Sequence, residues 1–568
     1  MRQRKRLFPV LTAVAFAASA AAGGAAPLRS GYAADVPQRS DVRDLGRAQP
    51  TLPVSIAVTL NYRHAAELDR LVQLQSDPGS PLYQRYLTDE QFDAYFAPTS
   101  ADYERTATAL QRAGFQITQR FSNRTVIDAA APASVAERYF STEIHRVVQA
   151  GVGVRYANAQ PAQLPAELRG IVVAVAGLND LAVVQPLYRF PNAGQRLAAQ
   201  QRARMPMPES SSPIGAPLYG PDGGYGPLAT AQGYDLPVQH GYNGAGRSAG
   251  VIIWADYLAS DITGYERYFG IRRTGKTSKL AVDGGASFNG NINDPTNASI
   301  EAELDVETIE GNSPGANIVV YEFPTPTDQH IEDAYNAAVS ANTVDVLNSS
   351  FGGCESGDPN FAKATNHIAT QGAAKGITFA ASSGDSGSNE CNGAKGVSEP
   401  AGDSEFMSIG GTSLRVTSKG VWSSETVWNS NGGAGGGGVS TVFALPSYQQ
   451  GIGGMITSGR NQPDIALSSD PSYGTSLYFN GAWDGPIGGT SWASPIFTAY
   501  LTQVAQVRSR RAGFVNPSIY GTLRNTHYTY YRDITVGNNF GYRAKTGYDQ
   551  ASGIGSIRSG NGLAPKLP

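Results

Sequence analysis

A glycine-led stretch near the carboxyl-terminal end of the chain presents a serine in a setting suited to nucleophilic chemistry. It spans residues 488–495, GGTSWASP, and contains Ser491. The glycines permit a tight turn and the close approach of a substrate. A serine at the start of a helix lies at the positive end of the helix dipole, where backbone N–H groups can stabilise an oxyanion. An ordinary N-cap serine after a glycine turn is the alternative, so the stretch alone leaves both interpretations open.

A nucleophilic serine needs a base, and the histidines of this chain are poor candidates. Four of the six histidines follow the N-terminal segment, and none stands in the His-Gly-Thr setting found in subtilisin-like proteases. The nearest is His240-Gly241-Tyr242, which precedes the first predicted core strand. A Ser-His-Asp arrangement is therefore weakly supported.

Two carboxylates on one predicted helix offer a different base. Glu301 and Asp305 are four residues apart, so they share a helix face. Burial of both would raise at least one pKa, and the two groups would tend to share a proton. The alternative is a solvated acidic face, because Glu303 and Glu307 stand in the same stretch.

A further aspartate follows a predicted strand. Asp385 lies in residues 383–387, SGDSG, directly after the strand predicted at 376–381. An aspartate among glycines is often only a turn former, but ligands bind at the carboxyl ends of strands in a parallel sheet. The preceding strand ends near Ser349 and is followed by small residues, beside which a substrate strand could pair through its backbone.

The elements that must position these side chains form an α/β pattern from about residue 225 onward. Buried strands are predicted at 249–254, 316–321, 344–349 and 376–381, with helices at about 299–310, 329–340 and 360–375. Continuous apolar strands alternating with helices predict a doubly wound parallel sheet. Residues from about 50 to 185 alternate shorter strands and helices, which predicts a small α+β domain of ferredoxin-like type.

Composition and the N-terminal segment indicate export. The 568 residues include only 16% charged residues and carry a net charge of −3, so no basic surface suggests nucleic-acid binding. Residues 1–34 combine a basic start, an apolar run and small residues, as in a secretory signal peptide. A retained membrane anchor is the alternative, which the many small residues disfavour. Residues 191–225 carry arginines, serines and a Gly-Pro pair that recurs at residues 226–227, and this composition predicts an exposed, cleavable linker.

The chain contains two cysteines, Cys354 and Cys391, and in an exported protein such a pair predicts one disulfide. Closing a loop of this length stabilises a fold by ~3–4 kcal/mol in the chain-entropy model. Two buried free thiols are the alternative. A metal site would need more soft ligands than two cysteines and scattered histidines.

Several stretches, in order along the chain, resemble the sedolisin family of serine-carboxyl peptidases, in the kumamolisin-like form that is made as a precursor with a pro-domain. They are residues 301–305 (EAELD), 350–352 (SFG) with Glu355, 383–387 (SGDSG), 435–440 (GGGGVS) with 446–449 (PSYQ), and 489–491 (GTS) followed by Pro495. Residues 77–83 (DPGSPLY) and 86–88 (YLT) resemble the family's pro-domain. The resemblance covers nearly everything after the predicted signal peptide and implies a subtilisin-like catalytic domain.

The resemblance also implies a role for each candidate residue. Ser491 would be the nucleophile, Glu301 its general base and acid, and Asp305 the carboxylate that orients Glu301 and shares its proton. Asp385 would donate a hydrogen bond to the oxyanion, which a carboxyl group does only when it is protonated. This chemistry predicts activity in acid.

A glycine-rich loop near the carboxyl terminus predicts a metal site. Two aspartates and backbone carbonyls suit a hard cation with oxygen ligands. The resemblance implies one Ca²⁺ site formed by Asp533, Asp549 and the carbonyls of Ile534 and Gly547, with the Lys545 carbonyl as a further candidate ligand. Lys545 stands where the family often has glycine; a carbonyl ligand survives that change, and whether the nearby positive charge weakens cation binding is left open by the sequence.

We therefore expect a signal peptide over residues 1–34, an inhibitory and chaperoning pro-domain over 45–190, the linker over 191–225 and a peptidase domain over 226–568. The predicted protein is a secreted, monomeric, self-processing endopeptidase that cleaves proteins and peptides in acid and is inhibited by its own pro-domain. We expect no nucleic-acid partner, and no membrane association once the signal peptide is removed. Two alternatives remain. Histidine substitutions would reveal a subtilisin-type protease, and protein hydrolysis in acid would exclude a catalytically inactive secreted binding protein.

Overall fold

The structure, a computed structural model, describes residues 41–204 and 217–568. The predicted signal peptide and residues 205–216 of the predicted linker lie outside the described residues. Contacts divide the described chain into two compact units. The first contains the residues up to Val183 together with Thr325–Asn342 and Ser356–Lys375, and the second contains the rest.

The α-helices are, in chain order, α1 (Ala65–Ser76), α2 (Asp89–Tyr95), α3 (Ser100–Ala113), α4 (Ala133–Phe140), α5 (Ala193–Ala203), α6 (Pro227–Gly233), α7 (Ala259–Phe269), α8 (Ala298–Asn312), α9 (Asp328–Ala341), α10 (Pro359–Ala374), α11 (Thr490–Arg508), α12 (Asn516–Thr526) and α13 (Gly560–Leu563). The strands are β1 (Val42–Arg47), β2 (Pro53–Leu60), β3 (Gln116–Arg120), β4 (Val126–Pro132), β5 (Ile144–Gln149), β6 (Gly153–Asn158), β7 (Val172–Ala176), β8 (Gln185–Pro186), β9 (Ser248–Ile253), β10 (Thr277–Ala281), β11 (Asn317–Glu322), β12 (Val346–Ser349), β13 (Phe351–Cys354), β14 (Thr378–Ser382), β15 (Ser398–Glu399), β16 (Phe406–Val416), β17 (Trp422–Val427), β18 (Asn429–Ser430), β19 (Gly433–Ala434), β20 (Gly438–Val439), β21 (Asn461–Gln462), β22 (Ile465–Ser468), β23 (Tyr478–Phe479), β24 (Ala482–Trp483), β25 (Tyr531–Arg532) and β26 (Ser556–Ile557).

The first unit contains a four-stranded antiparallel sheet in the order β3-β4-β2-β7. Helices connect β2 to β3 and β4 to β7, and this order and connectivity are those of a ferredoxin-like fold. The buried apolar side chains of Ile56, Val58, Leu110 and Ile127 lie in its core. Strands β1, β5 and β6 form a second antiparallel sheet. The predicted α+β fold of the N-terminal domain is confirmed.

The second unit contains a sheet in the order β10-β11-β9-β12-β14-β16-β17, with β22 also paired to β16. Its pairings are parallel except for that of β17 with β16. The chain winds from β9 to β10 and β11 on one side and to β12, β14 and β16 on the other. The carboxyl ends of strands at such a switch point are where the working residues of an α/β sheet gather. The predicted doubly wound parallel sheet is confirmed.

Part of the predicted linker is ordered as helix α5. Asn192 caps the helix: its side chain accepts a hydrogen bond from Gln195 N at 3.0 Å, and the Gln195 side chain accepts one from Asn192 N at 2.8 Å. The carbonyl of Ala199 lies where a Cβ on Gly223 would stand. Composition predicted exposed chain here, and most side chains of α5 are exposed, while Ala199 is buried. Composition did not predict the helix or the packing of Ala199 against Gly223. The domain boundaries themselves stay a prediction.

The predicted disulfide between Cys354 and Cys391 is present, with Cα atoms 4.6 Å apart. It joins the end of β13 to the loop that follows β14. Within the described residues, no helix combines the length and the apolar character that crossing a bilayer would require.

Candidate active site

Ser491 lies in the first turn of α11, directly after the predicted glycine turn. Gly489 precedes the helix with a φ of +103°. A Cβ on Gly489 would lie 2.3 Å from the Leu187 carbonyl oxygen and 2.7 Å from Asp385 Oδ2. Both the backbone conformation and the close approach of these two oxygens therefore require glycine here.

The side chain of Ser491 is hydrogen-bonded to a carboxylate. Its Oγ donates to Glu301 Oε2 at 2.7 Å and lies 3.0 Å from the Ser350 carbonyl oxygen. All six histidines belong to the described part of the chain, and none is a hydrogen-bond partner of Ser491. The geometry offers Ser491 a carboxylate base and no imidazole.

Glu301 and Asp305 lie one turn apart on α8, and both are fully buried. Burial raises the pKa of Glu301 well above its usual range, and the neighbouring Asp305 raises it further. Burial also raises the pKa of Asp305. Among the described residues, Glu301 Oε1 and Asp305 Oδ2 have no hydrogen-bond partner, which suits a proton shared by the pair. The alternative of a solvated acidic face is wrong, because every residue of α8 is buried.

A polar network that the sequence did not predict holds Asp305 in place. Ser350 Oγ donates to Asp305 Oδ1 at 2.5 Å, and Asn348 Nδ2 donates to Ser350 Oγ at 2.9 Å. Asn348 Oδ1 accepts a hydrogen bond from Ser494 Oγ at 2.7 Å, so the network joins the end of β12 to α11. Its signal in the sequence is an asparagine that directly follows the apolar residues Val346 and Leu347 of β12.

Asp385 follows β14, as predicted, and is aimed at the same site. Its Oδ1 accepts hydrogen bonds from Thr490 N at 2.8 Å and from Thr490 Oγ1 at 2.9 Å. Its Oδ2 accepts no hydrogen bond from the described residues, and Arg189 Nε lies 3.6 Å away. Burial raises the pKa of Asp385 to about 6, against the lowering effects of Arg189 and Thr490. Nearby, burial raises the pKa of Glu390 to about 8.

Residues 184–190, which we call the cleft segment, lie against these groups in the second unit. Strand β8 pairs antiparallel with β13. Leu187 N donates to Glu301 Oε2 at 3.1 Å, and Ser491 N donates to the Leu187 carbonyl oxygen at 3.1 Å. The sequence assigned these residues to the end of the pro-domain and carried no sign of this contact, which depends on the path of the folded chain.

In the predicted metal loop, backbone N–H groups bond both aspartates that the sequence named as ligand candidates. Gly547 N donates to Asp533 Oδ2 at 3.0 Å, and Lys545 N donates to Asp549 Oδ2 at 2.9 Å. Burial raises the pKa of both aspartates. Asp533 is partly buried and Asp549 is buried. The Asp549 carboxylate also accepts hydrogen bonds from Ala551 N at 3.0 Å and from Ser552 N at 2.9 Å. This oxygen-rich set fits a hard cation. The Lys545 side chain is exposed, and its Cε passes near Gly454.

Both the N-terminal and the C-terminal part of the chain are similar to known protein families. Residues 40–181 match the family described as Pro-kumamolisin, activation domain, and residues 284–550 match the Subtilase family. Sedolisin from Pseudomonas sp. (strain 101) is 32% identical over 527 residues, covering 88% of this chain and 85% of that protein. Kumamolisin from Bacillus sp. (strain MN-32) is 30% identical over 527 residues, covering 89% and 90%. The solved structure of Pseudomonas sedolisin (serine-carboxyl proteinase) complexed with two molecules of pseudo-iodotyrostatin matches with a TM-score of 0.53 at 31% identity, over 60% of this chain and 97% of that chain.

Proposed function

This chain belongs to the sedolisin family of serine peptidases and carries an N-terminal pro-domain, and from that membership we propose that it is a secreted endopeptidase that works in acid. The observation that carries the proposal is the 2.7 Å hydrogen bond from Ser491 Oγ to Glu301 Oε2. A serine served by a buried carboxylate, with no histidine bonded to it, favours serine-carboxyl chemistry over a subtilisin-type triad.

In the proposed acylation step, Glu301 takes the proton of Ser491 Oγ while the oxygen attacks the carbonyl carbon of the substrate. Asp305 shares a proton with Glu301 and so limits the charge that builds up in this buried pair. Glu301 then gives the proton to the leaving amine, and the acyl part of the substrate stays on Ser491 as an ester. In deacylation, Glu301 takes a proton from water, the hydroxyl oxygen attacks the ester, and the proton returns to Ser491 Oγ.

Two donors support the proposed oxyanion site. Ser491 N already donates to the Leu187 carbonyl oxygen, and Asp385 Oδ2 faces the same space over Gly489. A carboxyl group donates only when protonated. In the precursor, with Arg189 of the cleft segment beside it, Asp385 has a pKa of about 6, so it donates below that pH and loses the donor as the pH rises through about 6. The need for this proton supports a peptidase that works in acid.

We further propose that the cleft segment keeps the precursor inactive. The Leu187 carbonyl lies where the scissile carbonyl of a substrate would lie, because Ser491 N donates to it. Leu187–Tyr188 is then the first bond presented for self-cleavage, and later cuts fall in the predicted linker. At neutral pH the guanidinium of Arg189 favours ionised Asp385, which cannot donate, so acid would start the cleavage.

The loop that contains Asp533 and Asp549 is proposed to hold one Ca²⁺ ion, together with the carbonyls of Ile534 and Gly547. When bound, calcium would neutralise the two carboxylates and stabilise the loop. The predicted signal peptide and the disulfide support export, the compartment in which such a bond persists.

Hydrolysis of denatured casein as a function of pH tests the proposed function. The precursor incubated in acid is expected to become active on casein, and Ser491→Ala, Glu301→Gln and Asp305→Asn are each expected to lower the rate of casein hydrolysis at least about a thousandfold. His240→Gln is the control and is expected to keep full activity, because its imidazole bonds Asp235. Activity that survives Ser491→Ala, or that requires a histidine, would contradict the proposal.

A further inference from the structure

The cleft segment continues past the reacting groups along a second set of contacts that the catalytic steps do not use. Two residues beyond Leu187, Arg189 N donates to the Gly488 carbonyl oxygen at 2.9 Å, and Gly488 N donates to the Arg189 carbonyl oxygen at 2.8 Å. This reciprocal pair is a short antiparallel bridge. It holds the main chain on the leaving-group side of the Leu187–Tyr188 bond.

A hairpin turn contacts the next residue of the segment. Strands β18 and β19 are joined by Asn431 and Gly432, with φ values of +55° and +76°, as in the Asn-Gly turn of a two-residue hairpin. Asn431 Nδ2 lies 3.5 Å from the Phe190 carbonyl oxygen, and Asn431 Oδ1 accepts a hydrogen bond from Asn192 Nδ2 at 3.2 Å. Apart from these contacts the Asn431 side chain is exposed, and its amide offers the peptide one donor and one acceptor.

The contacts extend further along helix α5. Gln195 Nε2 donates to Ser472 Oγ at 2.5 Å, and Arg202 Nη2 donates to the Ser472 carbonyl oxygen at 2.7 Å. The guanidinium of Arg202 also lies over the ring of Tyr473, 5.2 Å from its centroid. The chain that follows the Leu187–Tyr188 bond is therefore held at three successive places.

We propose that Gly488 and Asn431 bind the part of a peptide substrate that follows the cleaved bond, and that Asn431 makes the enzyme sensitive to the length of that part. The Ser472–Tyr473 turn holds the side chains of helix α5 and is a contact of the precursor itself. The inference rests on the proposed function, because the cleft segment stands in for a substrate. The contacts to Arg189 and Phe190 use main-chain atoms. The ligand is therefore an extended peptide that continues for at least three residues beyond the cleaved bond, with little demand on its side chains.

Two peptides with the same acyl part test the inference on the mature enzyme. The short one ends at the first residue after the cleaved bond, and the long one continues for several more. Asn431→Gly keeps the positive φ and removes the amide, and it is expected to raise KM for the long peptide about fivefold, the effect of one net hydrogen bond. The short peptide is expected to be cleaved as by the wild type.

Asn480→Gly is the matched control. Asn480 occupies the Asn-Gly turn between β23 and β24 with a φ of +48°, and its amide donates to the Gly290 carbonyl oxygen at 3.3 Å. This variant is expected to cleave both peptides as the wild type does. Equal KM values of wild type and Asn431→Gly on the long peptide, or equal losses on both peptides, would overturn the inference. A wild type inactive on both peptides would instead contradict the proposed function.

Discussion

At the scale of single residues, the three carboxyl groups around Ser491 differ in the neighbours that set their pKa values. Glu301 and Asp305 are buried side by side, and burial raises both pKa values well above the usual range. Asp385 has Thr490 as a hydrogen-bond donor and Arg189 at 3.6 Å, which oppose the effect of burial and leave its pKa at about 6. Asp385 is therefore the group whose protonation changes between acid and neutral pH.

Asp385→Asn tests whether the hydrogen-bond donor at position 385 must be a protonated carboxyl group. An asparagine keeps an oxygen for the two hydrogen bonds from Thr490 and supplies an amide donor at every pH. We expect kcat in acid to fall about a hundredfold, because a neutral amide replaces a carboxylic acid of matched geometry. The remaining activity is expected to persist above the pH at which the wild type declines. A pH profile of kcat measures this, and a decline at the wild-type pH would contradict the assignment of Asp385.

Residue types and spacing could predict the four principal site residues, because each stands in a short local pattern. The structure brings Ser491, Glu301, Asp305 and Asp385 to one place. Sequence alone could not predict that Asn348 orders the network beneath Asp305, since its partners lie up to 150 positions away. The catalytic roles themselves stay proposals until the variants are measured.

At the scale of elements, α8 is unusual because it buries carboxyl groups on more than one face. Leu258 N donates to Glu303 Oε1 at 2.6 Å, and Glu303 Oε2 has no hydrogen-bond partner among the described residues. Burial raises the pKa of Glu303 to about 9; Asp261 and Asp256 also raise it, and Lys279 lowers it. The folded protein therefore binds a proton here that the unfolded chain releases near pH 4.5. The contribution of Glu303 to the stability of the fold is complete below about pH 4.5 and is lost as the pH rises toward about 9.

Glu303→Gln is expected to reduce this pH dependence. Glutamine keeps the acceptor for Leu258 N and carries no charge, so it resembles the protonated acid at every pH. In a Ser491→Ala background, which prevents self-digestion, the Tm of the variant is expected to fall less between acid and alkaline pH than the Tm of the parent. Glu104 and Arg120 form an exposed ion pair far from α8 in sequence, and Glu104→Gln, expected to keep the pH dependence of the parent, serves as the control. Equal pH dependence in variant and parent would contradict the burial argument.

The metal loop provides a second test at this scale. Calcium at a concentration of about a hundred times its Kd stabilises a native state by about 2.7 kcal/mol, which raises Tm by about 5 °C or more. We expect a chelator to remove this increase, and Asp549→Asn to show no difference with or without the chelator. Asp470 caps the turn Pro471–Tyr473, outside the metal loop. Asp470→Asn is therefore expected to keep the increase in Tm that calcium produces. A parent protein whose Tm is the same with and without chelator would contradict the site.

At the scale of the whole molecule, local alternation of strands and helices was enough to predict both fold types. It could not predict which segments pack together. Helices α9 and α10 come from the part of the chain assigned to the peptidase, yet they belong to the first compact unit. Thr59 Oγ1 donates to Glu332 at 3.2 Å and Tyr62 OH donates to the His367 carbonyl at 2.8 Å, across 273 and 305 positions of sequence. Contacts between residues so far apart in the sequence leave no pattern in the local sequence.

Acid conversion of the precursor tests how these parts work together. Protonation of Asp385 would restore its donor beside the Leu187 carbonyl, so lowering the pH is expected to cut the full chain first after Leu187. Mass spectrometry should find a new N-terminus at Tyr188, followed by shorter forms cut within the predicted linker. Leu187→Pro removes the N–H that donates to Glu301, and it is expected to slow the first cut.

Ser491→Ala precursor is the control for this experiment, and it is expected to stay intact in acid when kept apart from active enzyme. If adding a trace of active enzyme converts it, the first cut also occurs between molecules. A wild-type precursor that persists in acid would contradict self-activation. A first N-terminus within residues 191–225, with no product beginning at Tyr188, would show that the cleft segment inhibits without being the first substrate, since Ser491 N would then bind a carbonyl that is not cleaved.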